Sequence, residues 1–298
     1  VGMATSIPPH NLREVIDATS HLIENPDASL EDLMQFVKGP DFPTGGMIFN
    51  TKDIQQAYAT GRGGVVMRGE AEIIESDKSG YQIIISSIPY QVNKSELIIK
   101  MADLVREKKV EGIRDIRDES DREEKVRIAI DLKTGTNPQN VLNNLYKFTD
   151  LEKTFHFNMI ALVDGIQPQV LRLKEILQYF ISHREIVVKR RTQFDLNKAL
   201  DRAHILEGLK KALDHIDAII KTIRASEDKD DAQKQLMAKF KFSDRQAVAI
   251  LEMKLQSLAN LERQRVEDEL KEKEKLIKEL RALLADVKKL LKVVQDEL

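Results

Sequence analysis

From Ile277 onward, apolar side chains recur at alternating steps of three and four: Ile277, Leu280, Leu284, Val287, Leu291, Val294 and Leu298. Strand side chains alternate with a period of two, so this spacing belongs to a helix. Sustained this long, it is the seam of a coiled coil. Leu276, Leu283 and Leu290 widen the stripe, and Lys273 interrupts it before Leu270 and Val266. A seam requires a partner. Leu173, Leu177, Phe180, Val187 and Phe194 supply one, in a helical run opened by Pro168. Between the two runs, Leu206, Leu209, Leu213, Ile216, Ile220 and Ile223 are also helically spaced. The expectation is a long antiparallel α-helical coiled coil with a small all-α globular knob at its tip. The alternative is a helical bundle folded back on itself. Arms of about 30–35 residues, rising about 1.5 Å per residue, would each span about 50 Å.

Composition agrees. Charged residues make up 32% of the 298 residues and aromatics 5%, with no Trp, a balance that long helices rich in Leu, Lys and Glu produce. The formal net charge of −2 excludes a global basic field, so any nucleic-acid surface must be local. The absence of cysteine excludes disulfides and thiolate metal sites and suits a reducing cytosol. No apolar run approaches the about 20 residues of a membrane span, and no signal peptide is visible. A first residue that is Val, and a helical pattern running to the end, lead us to expect part of a longer chain.

Before Gly165 the pattern is mixed. Asn11–Ile23 reads as a helix with Asn11 as N-cap and Glu14 three residues on, and Ser29 precedes LEDLMQFV in the same way. KGPDFPTGG is a loop, Asp53–Thr60 a short helix closed by Gly61, VVMRGEAEII a strand, and Asp77–Gly80 a turn into the strand YQIIISSI. Val92–Lys109 is helical, RIAIDL alternates as a strand, Asn137–Pro138 starts another helix, and TFHFNMIALV supplies the last strand. The fold class expected is therefore an α+β domain over 1–165, a first coiled-coil arm over 166–200, a helical knob over 201–260 and a returning arm over 261–298.

No stretch offers catalytic machinery. The six histidines show no ligand spacing, and GRGG lacks the Lys-Ser/Thr ending of a phosphate loop and precedes a strand. DIRDESDREE gathers carboxylates, but Arg114, Arg117 and Arg122 interleave with them and would repel a cation, so an ion-paired solvated edge is expected and no metal. GRGGVVMRG joins Arg62 and Arg68 to four glycines. Glycine permits close backbone approach and the guanidinium fork suits phosphate; an ordinary hairpin with exposed Arg is the competing reading. In SIPPHN, Pro8 and Pro9 fix their own φ and hold the preceding residues extended, so Ile7 sits on a stiff support. Two readings are open: Ile7 plugs a core, or it projects as a wedge of the kind that DNA-bending proteins insert between base steps.

VGMATSIPPHNL, KGPDFPTGG, ATGRGGVVMRG, IPYQVNKSELI, DIRDESDRE, FNMIAL and HREIVVKRRTQFDLNKALDRAHILEGL together resemble, in order and over nearly the whole chain, the A subunits of bacterial DNA gyrase. The A subunit of topoisomerase IV shares much of this pattern and is the alternative, beside a coiled-coil scaffold without a DNA role. The resemblance implies a type IIA topoisomerase, which cleaves one duplex, passes another through and reseals the first. It makes 1–165 a tower domain, Ile7 the intercalating residue that bends the cleaved segment, and Arg62 and Arg68 DNA-backbone contacts. The knob becomes the exit-gate dimer contact, through residues such as Ile250, Leu251, Leu255 and Leu258. It also implies what this chain lacks. The catalytic tyrosine follows an arginine, and no Arg-Tyr pair occurs here. ATP and Mg2+ would be held by a partner B subunit in an A2B2 assembly acting on double-stranded DNA in the bacterial cytoplasm, at the nucleoid.

Overall fold

Side-chain caps open the helices of the first half. Asn11 accepts from the backbone N–H groups of Arg13 and Glu14 and starts α1 (Leu12–Glu24). Ser29 and Asp32 cap each other reciprocally at α2 (Leu30–Leu33), which stops after one turn instead of running through LEDLMQFV. Asn50 starts α3 (Thr51–Thr60), Asn93 starts α4 (Lys94–Arg106) and Asn137 starts α5 (Pro138–Phe148). Each cap satisfies a donor that the first turn leaves without an intrahelical partner. The computed structural model describes residues 2–76, 80–123, 125–253 and 260–298, so most of the turn expected at Asp77–Gly80 lies outside the described residues. The chain divides into two units, Val1–Phe180 and Ile181–Leu298.

Among its described residues, the first unit holds three antiparallel sheets. β1 (Met47–Ile48), β2 (Arg62–Arg68) and β7 (Glu152–Asn158) pair in the order β1-β2-β7. β3 (Ala71–Ser76), β4 (Gly80–Ile85), β5 (Ile113–Asp118) and β6 (Ile128–Leu132) pair in the order β3-β4-β6-β5. β8 (Ile160–Val163) and β9 (Gln167–Val170) form a separate ribbon. VVMRGEAEII, expected as one strand, is thus divided between two sheets at Gly69–Glu70, where the Gly69 N–H bonds the Leu151 carbonyl. TFHFNMIALV divides likewise at Met159, whose N–H bonds the Gly61 carbonyl. Pro168 does not open a helix: it pairs with Leu162 in the two-stranded ribbon, where the lack of an N–H is tolerated.

One face of the four-stranded sheet is dry. Ile83, Ile85, Ile128 and Ile130 pack there with Leu97, Met101 and Leu104 of α4 and Val141, Leu142 and Leu145 of α5. The charged stretch DIRDES is partly folded as the edge strand β5 of the same sheet. Arg117 reaches Asp131 at 2.6 Å and Asp115 and Glu119 at 3.1 Å each. Arg114 and Gln82 complete the shell of Asp131 at 3.1 and 2.7 Å. The Arg117 guanidinium occupies the middle of these carboxylates.

In the second unit, α6 (Leu173–Asp214), which begins in the first, runs 42 residues, about 63 Å at 1.5 Å per residue. α7 (Ile216–Ala225), α8 (Lys229–Phe240) and α9 (Asp244–Leu251) pack at its end around Ala212, Ile219, Leu236, Phe242, Ala247 and Ile250. α10 (Asn260–Leu284) returns along α6, with Leu196, Ala199, Ala203 and Leu206 against Leu270 and Ile277. Ion pairs give the direction: Arg202 meets Glu269, Arg184 and Arg191 meet Glu297, and Arg263 meets Asp214. Later residues of one side pair with earlier residues of the other, so the helices are antiparallel.

The seam is not continuous. α10 stops at Leu284, and α11 (Val287–Asp296) restarts with Asp286 as N-cap, its carboxylate accepting from Lys288 N–H at 2.9 Å. The break changes the buried face. Val287, expected inside, is 53% exposed, whereas Leu290 and Val294 are 1% and 0% exposed. No helix among the described residues is long and apolar enough to cross a membrane.

Candidate nucleic-acid interface

The place of a core plug is taken by the neighbour of Ile7. Pro8 is buried and Ile7 is 46% exposed, so the proline plugs the core and the isoleucine projects. Residues on both sides of Ile7 are tied down. Ser6 and Asn158 exchange backbone hydrogen bonds of 2.9 Å in each direction, adding the segment to the free edge of β7. The Asn158 amide Nδ2 donates to the Ala4 carbonyl at 2.7 Å, and the Thr5 hydroxyl donates to the Asn158 carbonyl at 3.1 Å. Beyond Ile7, the Pro9 carbonyl accepts from Asp41 N–H at 2.9 Å. The His10 ring meets the hydroxyl of Tyr58 at 2.6 Å. Tyr58 is fully buried on α3, and its pKa is raised by that burial. It therefore stays a phenol, and one hydrogen bond joins its hydroxyl to Nε2 of His10, whose pKa burial lowers, with the His10 tautomer setting which of the two donates.

Asn158 also connects Ile7 to Arg62. In the β2–β7 register, Arg62 stands opposite Asn158, Gly64 opposite His156, Val66 opposite Thr154 and Arg68 opposite Glu152. Cross-strand partners share a face. Val65, Met67, Phe155 and Phe157 fill the opposite, buried face. The open face therefore carries Arg62, the exposed His156 and Thr154, and a depression at Gly64. A Cβ at Gly64 would lie 2.9 Å from Thr154 Cγ2. Gly61 turns the chain from α3 into this strand with φ +73°, and a Cβ there would collide with the Leu171 carbonyl.

The two arginines have different surroundings. Arg62 is exposed, and no side-chain bond or ion pair engages its guanidinium among the described residues. Arg68 pairs with Glu152, and its guanidinium lies 5.0 Å from the ring centre of Phe49 and 5.1 Å from that of Tyr146. Its partly exposed guanidinium thus joins β2, α5 and the segment before α3.

Of the expected dimer residues, Ile250 is 3% exposed inside the core of its own unit and Leu251 packs partly against that core. The side chain of Ile250 is thus spent within the chain. Leu255 and Leu258 lie outside the described residues. Sequence reasoning missed Asn158, Tyr58 and His10, because no spacing rule joins position 7 to positions 58 and 158. The juxtaposition of H and N after IPP was the only local signal.

Over all of residues 1–298 the sequence matches the profile of the family that comprises the A subunits of DNA gyrase and topoisomerase IV. The chain belongs to this family. It is 53% identical over 298 residues to the DNA gyrase A subunit of Clostridium acetobutylicum, covering 100% of this chain and 36% of that protein. It is 52% identical over 300 residues to the DNA gyrase A subunit of Dehalogenimonas lykanthroporepellens, covering 100% and 37%. With the DNA gyrase A subunit of Staphylococcus epidermidis the identity is 50% over 298 residues, covering 100% and 33%. The chain spans about a third of the length of these curated relatives. Within the family frame, Ile7, Arg62, His156 and Asn158 share one corner of the three-stranded sheet.

Proposed function

We propose that this chain is the DNA-bending and dimer-forming part of the A subunit of a DNA gyrase, which performs ATP-dependent double-strand passage and negative supercoiling. The observation that carries this reading is the projection of Ile7 from a support fastened on both sides, with the unengaged Arg62 one register position across Asn158. An aliphatic side chain so held can enter a base step, and an adjacent guanidinium can hold the backbone of the bent duplex. Bending costs on the order of 1–6 kcal/mol, offset by the phosphate contacts that the bend brings into reach. The 1–165 region is then the tower, the antiparallel pair of α6 with α10 the coiled-coil stalk, and the helical cluster at its end the exit-gate knob. Leu251 supplies apolar surface for a second copy, the contact to which the sequence also assigns Leu255 and Leu258, while Ile250 holds the knob together from inside. DNA cleavage is not assigned to any residue of this chain, and ATP and Mg2+ are assigned to the partner B subunit.

The test uses the assembled enzyme. Ile7→Ala should lower the fraction of bent DNA, read by fluorescence transfer between labelled duplex ends, while sedimentation still shows the dimer. Bending equal to that of the parent would overturn the wedge. Arg62→Ala should weaken binding equally across sequences and lower the slope of log K against log salt by ~1, the loss of one phosphate contact.

A further inference from the structure

The projection of Ile7 is held by two anchors that are remote in sequence and independent of each other. Upstream, Asn158 receives Ser6 as a strand partner and fixes the Ala4 carbonyl through Nδ2 at 2.7 Å. Its other amide atom, Oδ1, is buried with no donor in reach among the described residues. A buried acceptor left unsatisfied is costly, and one retained in a folded protein calls for a reason. Here the amide is oriented to serve the Ala4 carbonyl at the expense of its own oxygen. Downstream, His10 meets the Tyr58 hydroxyl at 2.6 Å and approaches the Pro8 carbonyl. Tyr58 is fully buried against α3 and Phe157, so its hydroxyl is a fixed point. Pro8 and Pro9 leave little torsional freedom between these anchors.

We infer that Tyr58, acting through His10, and Asn158 are positioning residues for Ile7, setting how far and in which direction its side chain projects into bent DNA. The inference rests on the wedge reading above. It adds two residues that need not touch DNA and yet control the bend, and it predicts that they act only through Ile7.

A double-mutant cycle in the assembled enzyme tests it. Tyr58→Phe keeps the buried ring and removes only the hydroxyl. It should lower the ratio of bent to unbent complex about 2- to 10-fold, the factor that one hydrogen bond supplies, with the salt slope of DNA binding unchanged. Asn158→Ala should act in the same direction. In an Ile7→Ala background neither change should lower bending further, a result that a general loss of stability would not give. Parent-like bending in Tyr58→Phe and Asn158→Ala, or losses that simply add to that of Ile7→Ala, would overturn the inference while leaving the wedge standing. Parent-like bending in Ile7→Ala alone would instead bring down the wedge reading and this inference with it.

Discussion

At the scale of single residues, chemically identical side chains do different work. Arg62 and Arg68 stand six positions apart on one strand and on one face, yet Arg68 is enclosed by Glu152, Phe49 and Tyr146. Two cation–π contacts and one partly exposed ion pair together contribute about 1–2 kcal/mol. Arg68→Ala should therefore lower the free energy of unfolding in urea by about that amount and leave the salt slope of DNA binding unchanged. His10 adds a pH dependence. Its folded pKa is below the ordinary 6.5 because burial disfavours the imidazolium, an effect that the Pro8 carbonyl, Glu14 and Asp41 oppose only in part. The unfolded chain therefore binds the proton more readily. The contribution of neutral His10 is fully present above pH 6.5 and is lost as pH falls through its folded value. Replacing His10 by Gln should flatten the thermal midpoint between pH 7 and 5; an unaltered slope would show that His10 does not titrate on unfolding.

At the scale of elements, the returning helix shows how a periodicity that holds over most of its length fails at one position. Steps of three and four continue unbroken from Ile277 to Leu298, but Asp286 interrupts the helix by capping the next one. Short polar side chains that bond a backbone N–H two residues on favour a restart over continuation. The restart keeps Leu290 and Val294 buried and turns Val287 out. Leu290→Ala should cost about 2–4 kcal/mol, the range for emptying a buried leucine site, whereas Val287→Ala should cost less than about 0.5 kcal/mol, as for an exposed position. Urea denaturation of the two variants decides between the continuous seam and the broken one: equal costs would restore the former. Helix starts, by contrast, were legible. Asn11, Ser29 and Asn137 each cap where the residue pattern predicts, because an N-cap bond spans only two or three residues and needs no distant partner.

At the scale of the whole molecule, the near-neutral net charge of −2 conceals a strong local pairing of opposite charges. Hydrogen bonds from Arg117, with Arg114 and Gln82 behind, bring the pKa of Asp131 down to about 2, and Lys94 with Ser120 does the same for Asp118. Both acids are easier to ionise folded than unfolded. Their contribution is present above the ordinary carboxylate value of 3.8 and disappears as pH falls through about 2. Acid unfolding should then steepen between pH 4 and 2, and Asp131→Asn should flatten that limb when followed by circular dichroism; an unchanged limb would exclude Asp131 as a source. The same scale separates what local pattern can specify from what it cannot. Caps, the helical second half and the stiffness of IPP follow from bonds within a few residues, and the ion-paired character of DIRDES from its interleaved charges; all could be read along the chain. The division of VVMRGEAEII between two sheets, the outward turn of Ile7 with Pro8 inside, the capture of Arg68 and the clasp of Asn158 on Ala4 could not. Each depends on a distant partner, as far as 84 positions away for Arg68 and 154 for Asn158, and the energy that selects it exists only once the folded chain has brought the two together.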